Sequence, residues 1–297
     1  MGFNNSKTLK GVNCNMRKMK IKKIKLKNER LVFSILIIVL FLVFLLYYNF
    51  VFTVVWARNS YADQVINIAE NNETPVFAIQ KILLYSSATA VDNSQDQSLK
   101  DMSISQYTDI SIQINNMVSN SELTDENTIK ELYIDNIEVT TNSDAGTKIL
   151  NYKSPMSAGK YENLNAPNNG RIDFNIINTN EQNESADYSQ PTFYTDCSNP
   201  ITLGYINKDI LTNYSVTQDE NTVSFNGKVL QEANINLDDI NYTLSFKIHI
   251  INNLDEKFVY NMTLNVDLND ENGGIYNGYV YKGKNPSGVE YNFFKES

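Results

Sequence analysis

The chain has 297 residues, with 25 Lys and Arg against 34 Asp and Glu, for a formal net charge of −9. One His and two Cys exclude a Cys/His zinc cluster, a Ser-His-Asp order and a disulfide framework. The charge is unevenly spread, and that asymmetry organises everything that follows.

Residues 1–30 carry ten basic side chains and one acid, Glu29, giving +9. Residues 31–56, LVFSILIIVLFLVFLLYYNFVFTVVW, contain no Asp, Glu, Lys, Arg or His. A bilayer core of about 30 Å needs roughly 20 apolar helical residues, so this run predicts a single transmembrane helix, Leu31–Trp56. Tyr47, Tyr48 and Trp56 lie towards its end, where amphipathic aromatics favour the headgroup layer. Basic flanks stay on the cytoplasmic side. The expected topology is therefore a cell-membrane protein with a cytoplasmic N-terminus and an extracytoplasmic remainder. That remainder carries −18 (−9 minus +9). Lipid is the expected partner of the helix and of the basic segment. Nucleic acid is not expected, because the basic patch abuts the membrane. Small residues at Val55-Trp56-Ala57 and Ser60-Tyr61-Ala62 would suit cleavage, but a signal peptide's apolar core is usually only about 7–15 residues.

Residues 57–74 read as a juxtamembrane helix or linker, with Val65, Ile66 and Ala69 at helical spacing and Pro75 as its stop. From residue 75 the hydrophobic period becomes two, the sign of half-buried strands. VFAIQKILLY at 76–85 predicts the first strand. Ile110, Ile112 and Ile114 mark another. Leu132, Ile134, Ile137 and Val139 predict a strand that switches face near Asp135-Asn136. Ile172, Phe174 and Ile176 give another, and Val223 and Phe225 suggest one more before Asn226-Gly227.

The clearest signal is Tyr242, Leu244, Phe246, Ile248 and Ile250. These alternate with polar residues, and a second alternating run from Phe258 to Leu268 follows Asn252–Glu256. Together they predict an antiparallel hairpin. Tyr279–Tyr281 and Tyr291–Phe294 supply the last strands. Segments 86–103, 118–128, 140–170 and 178–199 read as polar connections. The whole predicts an all-β ectodomain over 75–297, an antiparallel β-sandwich, immunoglobulin-like or related.

Candidate sites are few. Asp267, Asn269, Asp270 and Glu271 before Gly273-Gly274 resemble a calcium loop in composition, but an EF-hand needs Gly where Asn272 stands. No other cofactor is implied. Tyr276, Tyr279 and Tyr281 form an aromatic cluster suited to sugar rings or a protein partner, unless Tyr279 and Tyr281 face the core. His249 falls on a polar strand face and Cys197 lacks a His neighbour in sequence, so neither predicts catalysis. The five Asn-X-Ser/Thr triplets that follow the apolar run, at Asn72, Asn183, Asn213, Asn241 and Asn261, fit an Asn-rich composition rather than glycosylation.

The expected protein is a single-pass anchored β-domain of a bacterial cell envelope that binds a protein partner. It is not expected to be an enzyme. The alternatives are an envelope glycan-acting enzyme with paired carboxylates and a self-assembling surface component that forms homo-oligomers.

Overall fold

The computed structural model describes residues 14–73, 75–96, 98–117, 123–159, 167–178, 187–216, 224–271 and 273–296. The chain divides into two compact units, Met1–Ile66 and Asn67–Ser297.

The first unit is built on one helix, α1, which runs from Cys14 to Glu73 without interruption. At 1.5 Å per residue it is about 90 Å long. Its Leu31–Ala62 stretch is long and apolar enough to cross a membrane. Large side chains all round it are exposed, including Leu40, Phe41, Phe44, Leu46 and Trp56. A helix that is apolar on every face and uncovered by protein suits a hydrocarbon surrounding. It continues well past the expected membrane run at both ends, because nothing between Ala57 and Glu73 breaks the helical path before Pro75.

The second unit is mostly β. Its strands are β1 (Phe77–Asp92), β2 (Met102–Asn116), β3 (Ile129–Thr141), β4 (Thr147–Tyr152), β5 (Ile172–Ile177), β6 (Thr192–Tyr194), β7 (Ile201–Tyr214), β8 (Tyr242–Asn252), β9 (Lys257–Val266), β10 (Tyr279–Lys284) and β11 (Phe294–Lys295). One sheet has the order β10-β1-β2-β7-β4 and the other β11-β9-β8-β3-β5-β6. Neighbours are antiparallel except β5 and β6, which pair in parallel. That pair departs from the purely antiparallel arrangement expected.

Both sheets contribute to a single apolar core. In β8 alternate residues are buried from Tyr242 to Ile250, and β9 answers with Phe258, Tyr260, Met262, Leu264 and Val266. The expected hairpin is therefore present in its expected phase. Ring contacts join the two sheets: Phe77 of β1 meets Phe258 of β9 edge-on at 5.2 Å, Tyr152 of β4 meets Phe174 of β5 at 6.2 Å, and Tyr205 of β7 stacks on Tyr242 of β8 at 3.8 Å. Each such side chain contributes about 1.5–3 kcal/mol by leaving water.

Two strands change phase where the sequence changes phase. In β1 a register shift between Ile79 and Lys81 lets Gln80 and Lys81 both face water while Ile79 and Ile82 stay buried. In β3 the shift between Asp135 and Glu138, with Asn136 at φ 50°, brings Ile137 and Val139 onto the core beside Leu132 and Ile134. The face switch expected at Asp135-Asn136 is this bulge.

Three differences stand out. No strand forms around Phe225, which is 55% exposed in a bend, and Val223 lies outside the described residues. A short helix, α2 (Lys228–Glu232), follows instead, with α3 (Leu237–Ile240) after it. Gly227 makes this possible, since a Cβ there would lie 2.3 Å from the Ile275 carbonyl. β4 and β6 fall inside segments expected as connections. β7 is an interior strand between β2 and β4; its residues Ile201–Asn207 are all buried, and that run ends at Lys208-Asp209, where Asp209 adopts φ 57°.

The β8–β9 turn is organised by Asn252, which is fully buried. Its carboxamide oxygen accepts from the Leu254 and Glu256 amides, and its nitrogen donates to the Glu126 carbonyl and to Glu256 Oε2 at 3.0 Å. Lys295 of β11 donates to Glu256 Oε1 at 2.6 Å. Lys295 and Asn252 hold the Glu256 carboxyl below its ordinary value. A depressed carboxylate stabilises the fold above its unfolded pKa and loses that contribution as pH falls through its folded pKa. Glu256→Gln is therefore expected to flatten the acid limb of the stability curve below about pH 4.5, the ordinary Glu value. Thermal unfolding across that range checks this; a parallel shift of the whole curve would count against it.

Candidate functional site

The outer face of the five-stranded sheet carries a concavity beneath the segment that follows β4. Strand register builds it. Tyr281 of β10 stands opposite Tyr85 of β1, which stands opposite Asp109 of β2, which stands opposite Gly204 of β7. One row along, Gly283, Leu83, Ser111 and Thr202 are aligned in the same way. Residues alternate across a strand, so these rows face away from Ile82, Ile110 and Ile112 in the core. The segment after β4 lies over them as a strap. It contains a 3-10 turn, Pro155–Ser157, capped by Ser154, whose hydroxyl accepts from the Met156 amide at 3.2 Å. The pocket between strap and sheet has a volume of about 480 Å³. That lies within the range of small-ligand sites.

Asp109 ties the strap down. One of its carboxylate oxygens accepts from Lys153 and the other from the Gly159 amide. Lys153 has only 4% of its side chain exposed and Asp109 14%. The Lys153 ammonium lies 5.3 Å from the centre of the Tyr107 ring, and Tyr107 donates to the Gly159 carbonyl at 3.0 Å. Burial pushes the Tyr107 phenol up to about 12, so it stays protonated and keeps donating. The pocket wall therefore holds two charges that answer each other.

Aromatic rings line the other side. Tyr85 stacks on Tyr279 with centres 5.6 Å apart and lies 6.4 Å from Tyr107. Tyr279 is 56% exposed and Tyr281 60%, while Val280 between them is buried. The two tyrosines thus face solvent, not the core. Tyr276 stands apart from them: it is half-buried and its hydroxyl donates to the Ile235 carbonyl at 2.5 Å. A second concavity, lined by Gln80, Lys81, Gln113, Pro200 and Asn285 among others, shares Leu83 and Ser111 with the first.

The calcium candidates lie on one turn, but their groups are engaged elsewhere. Asp267 Oδ1 accepts from the Asn269 amide at 2.9 Å, and Asp270 Oδ1 accepts from the Gly274 amide at 2.6 Å. Lys282 donates to the main-chain carbonyls of Asp267 and Asn269, so an ammonium occupies the oxygens a cation would use. Glu271 is exposed, and Asn272 lies outside the described residues. Among the described residues no three His, Cys, Asp or Glu side chains gather to hold a metal.

His249 is less solvated than its strand phase suggests. Its side chain is 12% exposed, its Nε2 lies 3.0 Å from Asp135, and its ring stacks on Tyr133 at 4.4 Å. Arg171 also packs against Tyr133, at 3.5 Å, and pairs with Asp173. This is a stacked polar patch on the six-stranded sheet, with a carboxylate rather than a nucleophile on the imidazole. Cys197 is 3% exposed, and burial pushes its thiol up, away from the reactive thiolate. Adjacent acids that could supply paired carboxylates are Asp238-Asp239, which open α3, and Asp125-Glu126, in a turn, while Asp219-Glu220 lies outside the described residues.

Sequence reasoning found Tyr279 and Tyr281 but not Tyr85, Asp109, Lys153 or Thr202. Tyr85 carried a readable signal, an aromatic out of phase with Ile82 and Leu84. Lys153 carried none, because a lysine in a polar connection is ordinarily solvated.

Removing one member of a buried pair strands the other charge. Lys153→Met is expected to destabilise the β unit by about 3–5 kcal/mol, and Lys153→Met/Asp109→Leu to recover most of that loss. Denaturant unfolding of the full chain measures both; equal loss in the single and double variants would show that the pairing is not what matters. Compared with protein-family models, curated proteins and solved structures, the chain matches none of them.

Proposed function

We propose that this protein is a single-pass anchored β-domain of a bacterial cell envelope, with its N-terminus in the cytoplasm and its β unit outside, and that it binds a protein partner. In this reading the two sheets form a β-sandwich, immunoglobulin-like or related, and α1 holds it near the membrane. The charge split of +9 before the apolar run and −18 after it supports the orientation.

The observation that carries the binding reading is the edge strand β10. It presents Tyr279 and Tyr281 to solvent at the border of the five-stranded sheet. Exposed tyrosines are enriched where proteins meet, since the ring offers area at low entropic cost and the hydroxyl offers a hydrogen bond. Lys282 and Lys284 on the same strand oppose pairing between identical edges, which favours a different partner over a second copy. The alternative of an enzyme with paired carboxylates has less support. The pocket beneath the 153–159 strap holds one acid, Asp109, already bound by Lys153 and Gly159.

Cross-linking in intact cells with a membrane-impermeant reagent, using the full chain as bait, tests the reading. One envelope protein is expected in near-equal amount, and Tyr279→Ala is expected to reduce its recovery about tenfold. Added protease is expected to degrade the β unit while leaving residues 1–30 protected. Recovery of bait multimers alone would replace the proposal with self-assembly, and protection of the β unit from protease would reverse the topology.

A further inference from the structure

We propose that Gln106 and Asn207, opposite each other inside the β unit, are a binding site for internal water, with at least one ordered molecule joining the two carboxamides between the sheets. The site lies on the inner face of the five-stranded sheet, away from the Tyr279 surface and the 153–159 strap, and does not rest on the function proposed above.

The two residues interrupt an apolar stripe. Along β2 the inward positions are Ile104, Gln106, Thr108, Ile110 and Ile112, and along β7 they are Ile201, Leu203, Tyr205 and Asn207. Gln106 and Asn207 are direct cross-strand partners, and each is 0% exposed. Both polar atoms of each side chain, Gln106 Oε1 and Nε2 and Asn207 Oδ1 and Nδ2, lack a hydrogen-bond partner among the described residues. Directly opposed side chains stand close enough to interact, yet these two carboxamides do not bond each other. Their polar neighbours are engaged elsewhere. Thr108 bonds Ser86 at 2.8 Å, and Lys148, opposite Asn207 on β4, donates to the Ser143 carbonyl at 2.9 Å.

Four buried polar atoms without partners depart from the ordinary pattern, in which nearly all such groups are satisfied by protein or by ordered water. The residue opposite Gln106 on β1 is Ala88, whose short side chain leaves room beside the carboxamide. Gly146 closes the site on the side of Asn207: a Cβ there would stand 2.2 Å from Asn207 Oδ1 and 2.8 Å from the Lys208 carbonyl. Bulk solvent does not touch either side chain, so what serves them is held inside.

The mixture of donors and acceptors selects the ligand. Each carboxamide presents an N–H₂ group and a carbonyl oxygen. A metal cation is served by oxygens alone and would meet those hydrogens, and the row Ala88, Gln106, Asn207, Lys148 holds no carboxylate to offset its charge. An anion would shed its water beside carbonyl oxygens, with the ammonium of Lys148 already given to Ser143. An apolar guest would leave all four atoms unsatisfied. Water both donates and accepts, and a buried molecule ordinarily makes about three hydrogen bonds to such groups. The Tyr205 hydroxyl, buried on the same inner face two residues before Asn207, also lacks a partner among the described residues and offers a further contact for a second molecule.

The test uses the full chain in nanodiscs and two readouts. Oxygen-17 magnetic relaxation dispersion measures long-lived internal water, and nuclear Overhauser contacts from water to the labelled side-chain amides of Gln106 and Asn207 locate it. Both signals are expected in the wild type. Gln106→Met/Asn207→Leu, which keeps the approximate volume and removes the polar atoms, is expected to lose the signal of at least one long-lived water. Its unfolding midpoint is expected to stay level or rise, since replacing every partner of a buried polar contact by apolar groups is nearly neutral. If the double variant does not fold, the wild-type contacts decide alone. Four results would each overturn the proposal: no water contact at either amide, a direct contact between the two carboxamides in its place, dispersion unchanged in the folded double variant, or wild-type stability that rises with sodium, potassium or calcium at constant ionic strength while the double variant does not respond.

Discussion

Each sheet has one face that must leave water, and the two bury those faces against each other. This is the constraint on which the β unit depends. A residue's phase along its strand decides whether it joins the core or the surface, and a slip of one position would reverse every assignment. The bulges at Ile79–Lys81 and Asp135–Glu138 show how the chain keeps the rule when its own alternation falters. Both insert a phase change and return the next apolar residue to the core.

Function is thereby left to the outer faces. On the five-stranded sheet the outer face is not simply wetted. The strap after β4 lies over it, and the strap is held by a carboxylate and an ammonium that are both largely removed from water. Such a pair is weak evidence for net stability, because desolvation opposes the attraction. Its structural consequence is clearer: it holds residues 153–159 over the sheet and leaves a walled pocket where a flat surface would otherwise stand. The other sheet arranges its outer face differently, with Tyr133 packed between Arg171 and His249 and each of these paired to an aspartate.

The acidic turn after β9 illustrates how composition and arrangement part company. Asp267, Asn269, Asp270 and Glu271 have the oxygen chemistry a hard cation prefers. In the fold, two of their carboxylates accept main-chain amides of the same turn, and Lys282 reaches in from β10 to the carbonyls. Turn residues that bind their own backbone are the ordinary outcome for such sequences. Here they help position the entry to β10, whose first tyrosine faces solvent.

What the sequence by itself determined is whatever depends on local pattern. The apolar run from Leu31 to Trp56, the β8–β9 hairpin, the face switch at Asp135-Asn136 and the β-rich character of the remainder are all statements about period and length, which neighbours in sequence suffice to set. Only the tertiary structure decided the rest. It decided that β4 and β6 are strands, because short edge segments acquire their pairing from a partner far away in sequence, and that the chain at Phe225 turns into a helix, because Gly227 must fit against Ile275 and Gly278. It decided that Tyr279 and Tyr281 face outward, because Val280 was the residue the core could take. Above all it buried Lys153 against Asp109, 44 positions apart. Nothing in a polar connection marks a lysine for burial until the strands beneath it have been placed.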